Sequence, residues 1–384
     1  MNQKIQKIVF NGLKGVAIPV FNFIIAAIGI KHFGNKDWGS FINILIWVYF
    51  LAFIANFGNK DFLLRNYSKE PNKINHLFLS SLISRSVFLI FSVGMIYFFP
   101  LKTSLLSIAL CLLIYIYQSL DSIVIYKQKF GSQLVIELIG SSIIAFGILL
   151  QESLNLQKII SLYCLCYFIK IISQLIFLRI EFKTTYLMFS FDLIVKSFPF
   201  FLIGFSGWLA SKIDLYMVSF YLPNESLAKY QIFISAFIMV RASAGLILYP
   251  FSKHLYRLPA ISLSKIKKLL LQLSIPIIVL ATTIIWFILE NLIEIHFTLD
   301  YYLLGALSSF PIFTYILTIM SLYRFNKERI VLLTSFTSVI LYLILSSIFI
   351  PLIEIKGALV SVIIIQFMIM IIYSKFSKRL KLNQ

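Results

Sequence analysis

Long apolar runs separated by short polar loops dominate this sequence of 384 residues. Each run is about as long as a membrane crossing, since about 20 mostly apolar residues in an α-helix span a bilayer core of about 30 Å. Inside that core the backbone polar groups must bond to one another, which favours helices. Only 13% of the residues are charged and 60% are hydrophobic, whereas a soluble domain carries about 25% charged residues. The sequence therefore predicts an all-α polytopic membrane protein.

The apolar runs predict twelve transmembrane helices, joined by loops too short for a folded soluble domain. The predicted spans are residues 8–30, 40–58, 77–99, 103–126, 133–150, 158–179, 196–221, 229–250, 268–289, 300–323, 329–350 and 357–375.

The basic residues of the loops predict the orientation of these spans. The two termini and the loops on their side hold 23 Lys and Arg residues, and the loops on the other side hold 6. Cytoplasmic loops are enriched in Lys and Arg, so both termini are predicted to be cytoplasmic. A net charge of +19 would by itself suggest nucleic-acid binding, but the positions of the cations in short loops favour membrane topology instead.

The sequence shows no pattern typical of an enzyme or a metal protein. Cys111, Cys164 and Cys166 all fall in apolar runs and lack the further ligands that a metal site needs. Zinc spacings, a nucleophile elbow and a P-loop are missing from the sequence. We therefore expect no catalytic residues, no metal and no cofactor. A membrane-embedded polysaccharide polymerase would need large external loops, and those predicted here are short.

An internal repeat is indicated at an offset of 189 residues, where FGNKDWGSF (33–41) aligns with LPNESLAKY (222–230). Such duplications are common in transporters. Six helices per half give both halves the same orientation. We predict two six-helix bundles, residues 1–182 and 183–384. A pseudo-two-fold axis along the membrane normal relates them, with a cavity between them.

Charged residues inside predicted spans are the candidate functional groups, because each costs about 2.5–3.5 kcal/mol at the centre of a membrane helix. The acids Asp121 and Glu137 lie near predicted cytoplasmic ends, where they are expected to reach water. Asp214 is expected to pair with a cation of a neighbouring helix, and so to organise the cavity or to couple an ion. The candidate substrate-binding residues are the five cations Arg241, Lys212, Lys170, Arg85 and Lys14. Their excess over the acids predicts a cationic cavity suited to an anionic substrate.

Several segments resemble bacterial polysaccharide flippases of the Wzx type, members of the multidrug/oligosaccharidyl-lipid/polysaccharide (MOP) exporter superfamily. In KSFPFFLIGFSGWLASKIDLYMVSFYLPNESLAKYQIF (196–233), a Pro, an Ile-Asp pair and an acidic turn before a Tyr follow the pattern of the family's seventh and eighth helices. HFGNKDWGSF (32–41) resembles its first loop, and IFIPLIEIKGALVSVII (348–364) resembles the Pro…Gly-Ala motif before its last helix. The topology matches over the whole chain, and the motifs cover about a quarter of it.

The resemblance implies that the two six-helix bundles form a MATE-like inverted V and that the protein is a flippase of the bacterial inner membrane. Its cargo would be an undecaprenyl-pyrophosphate-linked oligosaccharide, a repeat unit of O-antigen, capsule or exopolysaccharide, moved from the cytoplasmic to the outer leaflet by alternating access. Coupling to H⁺ or Na⁺ and contacts with other polysaccharide assembly proteins would be in keeping with this function. Two alternatives with the same fold stay open, a lipid II flippase and a MATE-type small-molecule antiporter. A cationic cavity disfavours the second of these.

Overall fold

The chain folds into helices throughout the residues described by the computed structural model, which are 3–153, 155–180, 186, 188–248, 260–325 and 327–382. The α-helices are α1 (Gln3–Asn56), α2 (Asn59–Lys69), α3 (Ile74–Ser86), α4 (Leu101–Lys127), α5 (Phe130–Leu149), α6 (Leu156–Leu178), α7 (Phe191–Tyr221), α8 (Asn224–Leu248), α9 (Ala260–Phe287), α10 (Leu299–Arg324) and α11 (Glu328–Leu382). A 3₁₀-helix, Val87–Tyr97, continues α3, and a π-helix, Ile288–Ile293, continues α9. The predicted all-α class is confirmed for this part of the chain.

Nine helices of the described residues are long and apolar enough to cross a membrane. They are Ala17–Lys69, Pro71–Tyr97, Leu101–Lys127, Phe130–Leu149, Leu156–Leu178, Phe191–Tyr221, Lys265–Ile293, Leu299–Leu322 and Arg329–Phe376. The predicted multi-pass membrane protein is thereby supported. The exact count of twelve spans stays a prediction, because two of the nine are far longer than one crossing needs and α8 is not among them.

Both of the longest helices contain a break in the backbone. Gly34 interrupts α1 with φ 81° and ψ 164°, a conformation that is essentially restricted to glycine. Ile353 and Glu354 interrupt α11, with Glu354 at φ 51°. Each break falls between two predicted spans, at the loops expected at 31–39 and 351–356. The sequence therefore marked the position of both interruptions.

Two compact units are formed by these helices. Unit 1 comprises Met1–Ala17 and Ser40–Phe205, and unit 2 comprises Ile18–Gly39 and Ser206–Gln384. Helices α1 and α7 thus contribute to both units. The predicted division of the chain into bundles of residues 1–182 and 183–384 stays a prediction.

Unit 1 is built around α4, which packs against α2 and α6, while α5 packs against α6. Where α1 ends, the ring of Phe57 stacks between Phe88 and Phe201, with centroids 4.3 and 4.5 Å away. Gly58 follows with a positive φ of 71°, and a side chain there would collide with the backbone at Phe200 and Phe201. Glycine is required at this corner by both the backbone conformation and the close approach.

Unit 2 has its core between α7, α10 and α11. Ile213 of α7 packs with Tyr342 and Val362 of α11, and Tyr315 of α10 packs with Tyr373 of α11. Helices α8 and α9 both pack against α10.

Candidate functional site

Arg241, in the second half of α8, is the most conspicuous charged group of unit 2. Its side chain is partly buried, and its Nε and Nη2 atoms are buried without a hydrogen-bond partner among the described residues. Buried charged groups are normally paired and hydrogen-bonded, because an uncompensated donor loses its interactions with water. A guanidinium with two free donors is therefore prepared for an acceptor, and its planar fork suits a carboxylate or a phosphate.

Three tyrosine hydroxyls lie within electrostatic range of the Arg241 charge. They belong to Tyr230 of α8, Tyr315 of α10 and Tyr342 of α11. The Tyr315 hydroxyl donates to Gln366 Oε1 at 2.8 Å, which fixes its ring. The surroundings of Arg241 therefore combine its positive charge with tyrosine rings and hydroxyls, and two of these tyrosines, Tyr230 and Tyr342, also lie within electrostatic range of the Asp214 carboxylate.

Asp214 of α7 is only 9% exposed and accepts two hydrogen bonds. The Tyr230 hydroxyl donates to its Oδ2 at 2.9 Å, and the Leu215 amide donates to its Oδ1 at 2.9 Å. Among the described residues it has no ion-pair partner, so the expected pairing with a cation of a neighbouring helix is not what the structure shows. The Tyr230 hydroxyl stabilises the buried carboxylate in place of a cation, because a hydrogen bond to a charged acceptor is stronger than one to a neutral acceptor.

Lys212 lies two residues before Asp214 but is exposed. Residues two apart on a helix do not face each other, which explains why the two charges are separate. No ion-pair partner for Lys212 exists within the described part of the chain. It is a free cation on the surface of α7, and its place in a substrate site stays a prediction.

Lys170 of α6 forms a buried ion pair with Glu137 of α5. Its Nζ atom lies 2.7 Å from Glu137 Oε2, and the two side chains are 7% and 12% exposed. The Tyr117 hydroxyl donates to the other carboxylate oxygen at 2.8 Å. The expectation that Glu137 reaches water at a helix end is therefore wrong, because the pairing with Lys170 draws it into unit 1. The pair carries no net charge.

Aromatic rings and one glycine complete the environment of Lys170. Its ammonium group lies 5.0 Å from the ring centroid of Tyr167 and 5.6 Å from that of Tyr117, distances at which cation–π attraction is favourable. The Tyr167 hydroxyl lies 2.9 Å from that of Tyr49. A side chain at Gly140 would collide with Lys170 Cε, so the small residue makes room for the lysine. These contacts indicate that Lys170 stabilises the packing of unit 1.

Arg85 of α3 is 1% exposed and binds the end of α1. Its Nη1 donates to the carbonyl of Asn56, the last residue of α1, at 2.8 Å, and its Nε donates to the carbonyl and the hydroxyl of Ser81. Cations are stabilised at helix C-termini, where carbonyl groups point outward. The Tyr115 ring lies 5.7 Å away. These contacts favour a role in holding α1 over the predicted role in substrate binding, which stays untested.

For the two other charged residues of the predicted spans, Lys14 and Asp121, the structure gives less information. The side chain of Lys14 lies outside the described part of the chain. Asp121 accepts a hydrogen bond of 2.5 Å from Gln133 Nε2. Within the described residues, no group of three His, Cys, Asp or Glu side chains is placed to hold a metal ion.

Sequence reasoning missed the tyrosines around Arg241. In the sequence, Tyr230 stands out only as part of a loop motif, while Tyr315 and Tyr342 lie in apolar runs among 20 tyrosines. The sequence gives an indication of such a contact only for Tyr230. This residue lies sixteen positions after Asp214, across the turn between α7 and α8. Tyr315 and Tyr342 come near Arg241 through the packing of α10 and α11, which spacing does not reveal.

Comparison with solved structures places this chain in a fold class, that of the MOP superfamily transporters. The lipid II flippase MurJ in an inward closed conformation aligns with a TM-score of 0.73 and 17% identity, covering 97% of this chain and 87% of that one. An inward-facing multidrug resistance MATE family transporter aligns at 0.67 with 9% identity, covering 96% and 97%. A MOP superfamily transporter from Pyrococcus furiosus aligns at 0.55 with 11% identity, covering 98% and 95%.

At these identities the likeness shows the fold alone. No protein-family profile matches the sequence, and no curated protein matches it. The predicted MOP-type fold is confirmed, and the Wzx-type specificity stays a prediction.

Proposed function

We propose that this protein is a flippase that moves an undecaprenyl-pyrophosphate-linked oligosaccharide from the cytoplasmic to the outer leaflet of the bacterial inner membrane. The observation that carries the proposal is Arg241, a partly buried arginine with two buried, unpartnered donors among the described residues of a chain with the MOP fold. Proteins with this fold include a lipid II flippase. The function requires no covalent chemistry, in keeping with transporters as the structural neighbours.

The diphosphate of the carrier lipid is the group that Arg241 fits best. Nε and Nη2 lie on one edge of the guanidinium, so that they bind two oxygens of one phosphate side by side. The tyrosines near Arg241 are buried, and the Tyr230 and Tyr315 hydroxyls already donate to Asp214 and Gln366, so these residues hold the surroundings of Arg241 in place. Asp214 accepts a hydrogen bond from the Tyr230 hydroxyl, which stabilises its negative charge.

Transport follows from exposing this anion site alternately to the two sides of the membrane. Lys212, Lys170, Arg85 and Lys14 are proposed to contribute less than Arg241, because Lys170 is neutralised by Glu137 and Arg85 holds the end of α1. Coupling of transport to H⁺ or Na⁺ at Asp214 is part of the proposal. No catalytic residue and no resident cofactor are needed.

A second candidate function is transport of lipid II, favoured by the likeness to MurJ at a TM-score of 0.73. Lipid II carries the same undecaprenyl-diphosphate anchor as the proposed cargo, so Arg241 serves both equally well. The two functions differ only in the sugar and peptide portion of the head group. A MATE-type antiporter for cationic drugs fits less well, since an unpaired arginine repels a cation.

Equilibrium binding to the purified protein tests the anion site. A fluorescent undecaprenyl-diphosphate oligosaccharide and fluorescent lipid II are titrated against wild type, Arg241→Ala and Arg241→Lys in detergent. We expect Arg241→Ala to weaken binding by about 2 kcal/mol or more, roughly thirtyfold. Arg241→Lys is expected to lose less, because it keeps the charge and loses only the bidentate geometry.

The matched control is Lys158→Ala, which removes an exposed cation at the start of α6 and is expected to leave both affinities unchanged. Binding of the oligosaccharide lipid but not of lipid II supports the first function, and the reverse supports the second. Equal affinity of Arg241→Ala and wild type for both lipids would contradict the anion site.

A further inference from the structure

We propose that one end of unit 1 is a binding surface for anionic phospholipid headgroups. This surface, called the basic end below, is formed by α2, the α4–α5 turn and the C-terminus of α6. Its cations are Lys60, Arg65, Lys69, Lys129 and Arg179, all exposed. The proposal concerns the bulk lipid of the leaflet and is independent of the transported substrate.

Helix α2 has the character of a helix that lies at a membrane surface. At 11 residues it extends about 16 Å, too short to span the bilayer. One face is buried and carries Asn59, Phe62, Leu63 and Tyr67. Lys60, Arg65 and Lys69 are exposed on the rest of the helix surface, with Arg65 farthest from the buried face. Exposed basic residues on a short helix beside membrane spans attract anionic lipid headgroups through their charge.

Side-chain contacts bring the ends of α2, α4 and α6 together. The Tyr67 ring of α2 meets the Tyr126 ring of α4, with centroids 5.7 Å apart. One residue further on, Lys127 donates from Nζ to the carbonyl of Leu178, the last residue of α6, at 2.7 Å. The free cations Lys129 and Arg179 directly follow these helix ends. The five cations therefore belong to one end of unit 1.

Few acids offset this charge. Glu70 is already paired with Lys73 at 2.8 Å, and this neighbouring ammonium lowers the pKa of the carboxyl below its ordinary value. Asp61 lies in the first turn of α2, where the helix dipole stabilises a carboxylate. Within the described residues, none of the five cations of the basic end has an ion-pair partner. An external anion is the remaining partner for them.

Lipid headgroups are the anions that lie at this depth. Ile176 and Phe177, immediately before the end of α6, are 69% and 52% exposed, as expected for side chains that face lipid tails. Arg179 follows one turn at most beyond them, so its guanidinium reaches the headgroup region. Basic residues beside membrane helices bind anionic lipid through charge, and salt weakens the attraction.

Lipid selectivity in bilayers tests this surface. Association of spin-labelled phosphatidylglycerol and phosphatidylcholine with the protein is measured by electron paramagnetic resonance, at low and at high salt. We expect wild type to prefer phosphatidylglycerol by about threefold or more at low salt and to lose most of this preference at high salt. The quadruple variant K60Q/R65Q/K69Q/K129Q is expected to fall to about equal association with both lipids.

The control variant is K102Q/K158Q, which removes two exposed cations from the N-termini of α4 and α6, the opposite ends of the same helices. It is expected to keep the wild-type preference, as is K60R/K69R/K129R, which keeps the charge. If the quadruple variant does not fold, R65Q and K129Q singly are expected to lose part of the preference. An unchanged preference in folded variants, or an equal loss in the control, would overturn the proposal.

Discussion

Individual charged residues in this chain are held by different partners, which decides what each one does. Lys170 and Glu137 neutralise each other, Arg85 binds helix-end carbonyls, and Asp214 holds a tyrosine hydroxyl. Arg85 keeps one buried donor, Nη2, without a partner among the described residues, and Arg241 keeps two, Nε and Nη2. At the residue scale the four groups therefore predict four distinct responses to substitution.

The buried ion pair of unit 1 predicts a stability effect. Lys170→Met leaves Glu137 buried without its cation, which is expected to lower the free energy of unfolding by about 3–5 kcal/mol. The double variant K170M/E137Q removes both charges and is expected to recover most of that loss. Unfolding in mixed micelles measures both, with the exposed Lys158→Met as control. A double variant as unstable as the single one would show that the two charges do not compensate each other.

The hydrogen bond between Tyr230 and Asp214 predicts a second stability effect, in unit 2. Tyr230→Phe removes the donor to a buried carboxylate and is expected to cost about 1–3 kcal/mol in the free energy of unfolding. The cost is expected to shrink in the Asp214→Asn background, because an amide needs less compensation than a charge. A double-mutant cycle with the same unfolding assay measures the coupling. Additive effects would mean that the bond contributes nothing.

At the scale of the elements, the breaks in α1 and α11 were predictable because polar and small residues interrupt apolar runs there. Gly34 adopts a backbone conformation that other residues avoid, which accounts for its place between two predicted spans. The element boundaries elsewhere followed the bilayer length. The sequence places the residues of helix α2 in a basic loop, because their apolar face becomes evident only where it packs against α4.

The backbone of Gly34 predicts a specific sensitivity. A side chain there would meet no atom within 4 Å, so any cost of Gly34→Ala arises from the conformation alone. We expect a loss of about 1–3 kcal/mol in the free energy of unfolding. Gly94→Ala is the matched control, because it also meets no atom within 4 Å but has no positive φ, and it is expected to be neutral. Equal effects of the two substitutions would contradict this account.

For the whole molecule, apolar length, loop charge and an ordered set of motifs were enough to predict an all-α membrane protein with the MOP fold. Packing was not predictable from these signals. The pairing of Lys170 with Glu137 joins residues 33 positions apart, and the tyrosines near Arg241 come from three helices. The sequence identified Arg241 as a charge within an apolar span, and the structure added that its donors are unsatisfied.

Leaflet exchange of a labelled undecaprenyl-diphosphate oligosaccharide in proteoliposomes tests the central claim most directly. Wild type, Arg241→Ala and the control Lys158→Ala are compared, each with and without a H⁺ or Na⁺ gradient. We predict exchange by wild type and by the control, and a loss of roughly thirtyfold or more in Arg241→Ala. Exchange by Arg241→Ala at the wild-type rate, or no exchange by correctly folded wild type under any gradient, would contradict the claim.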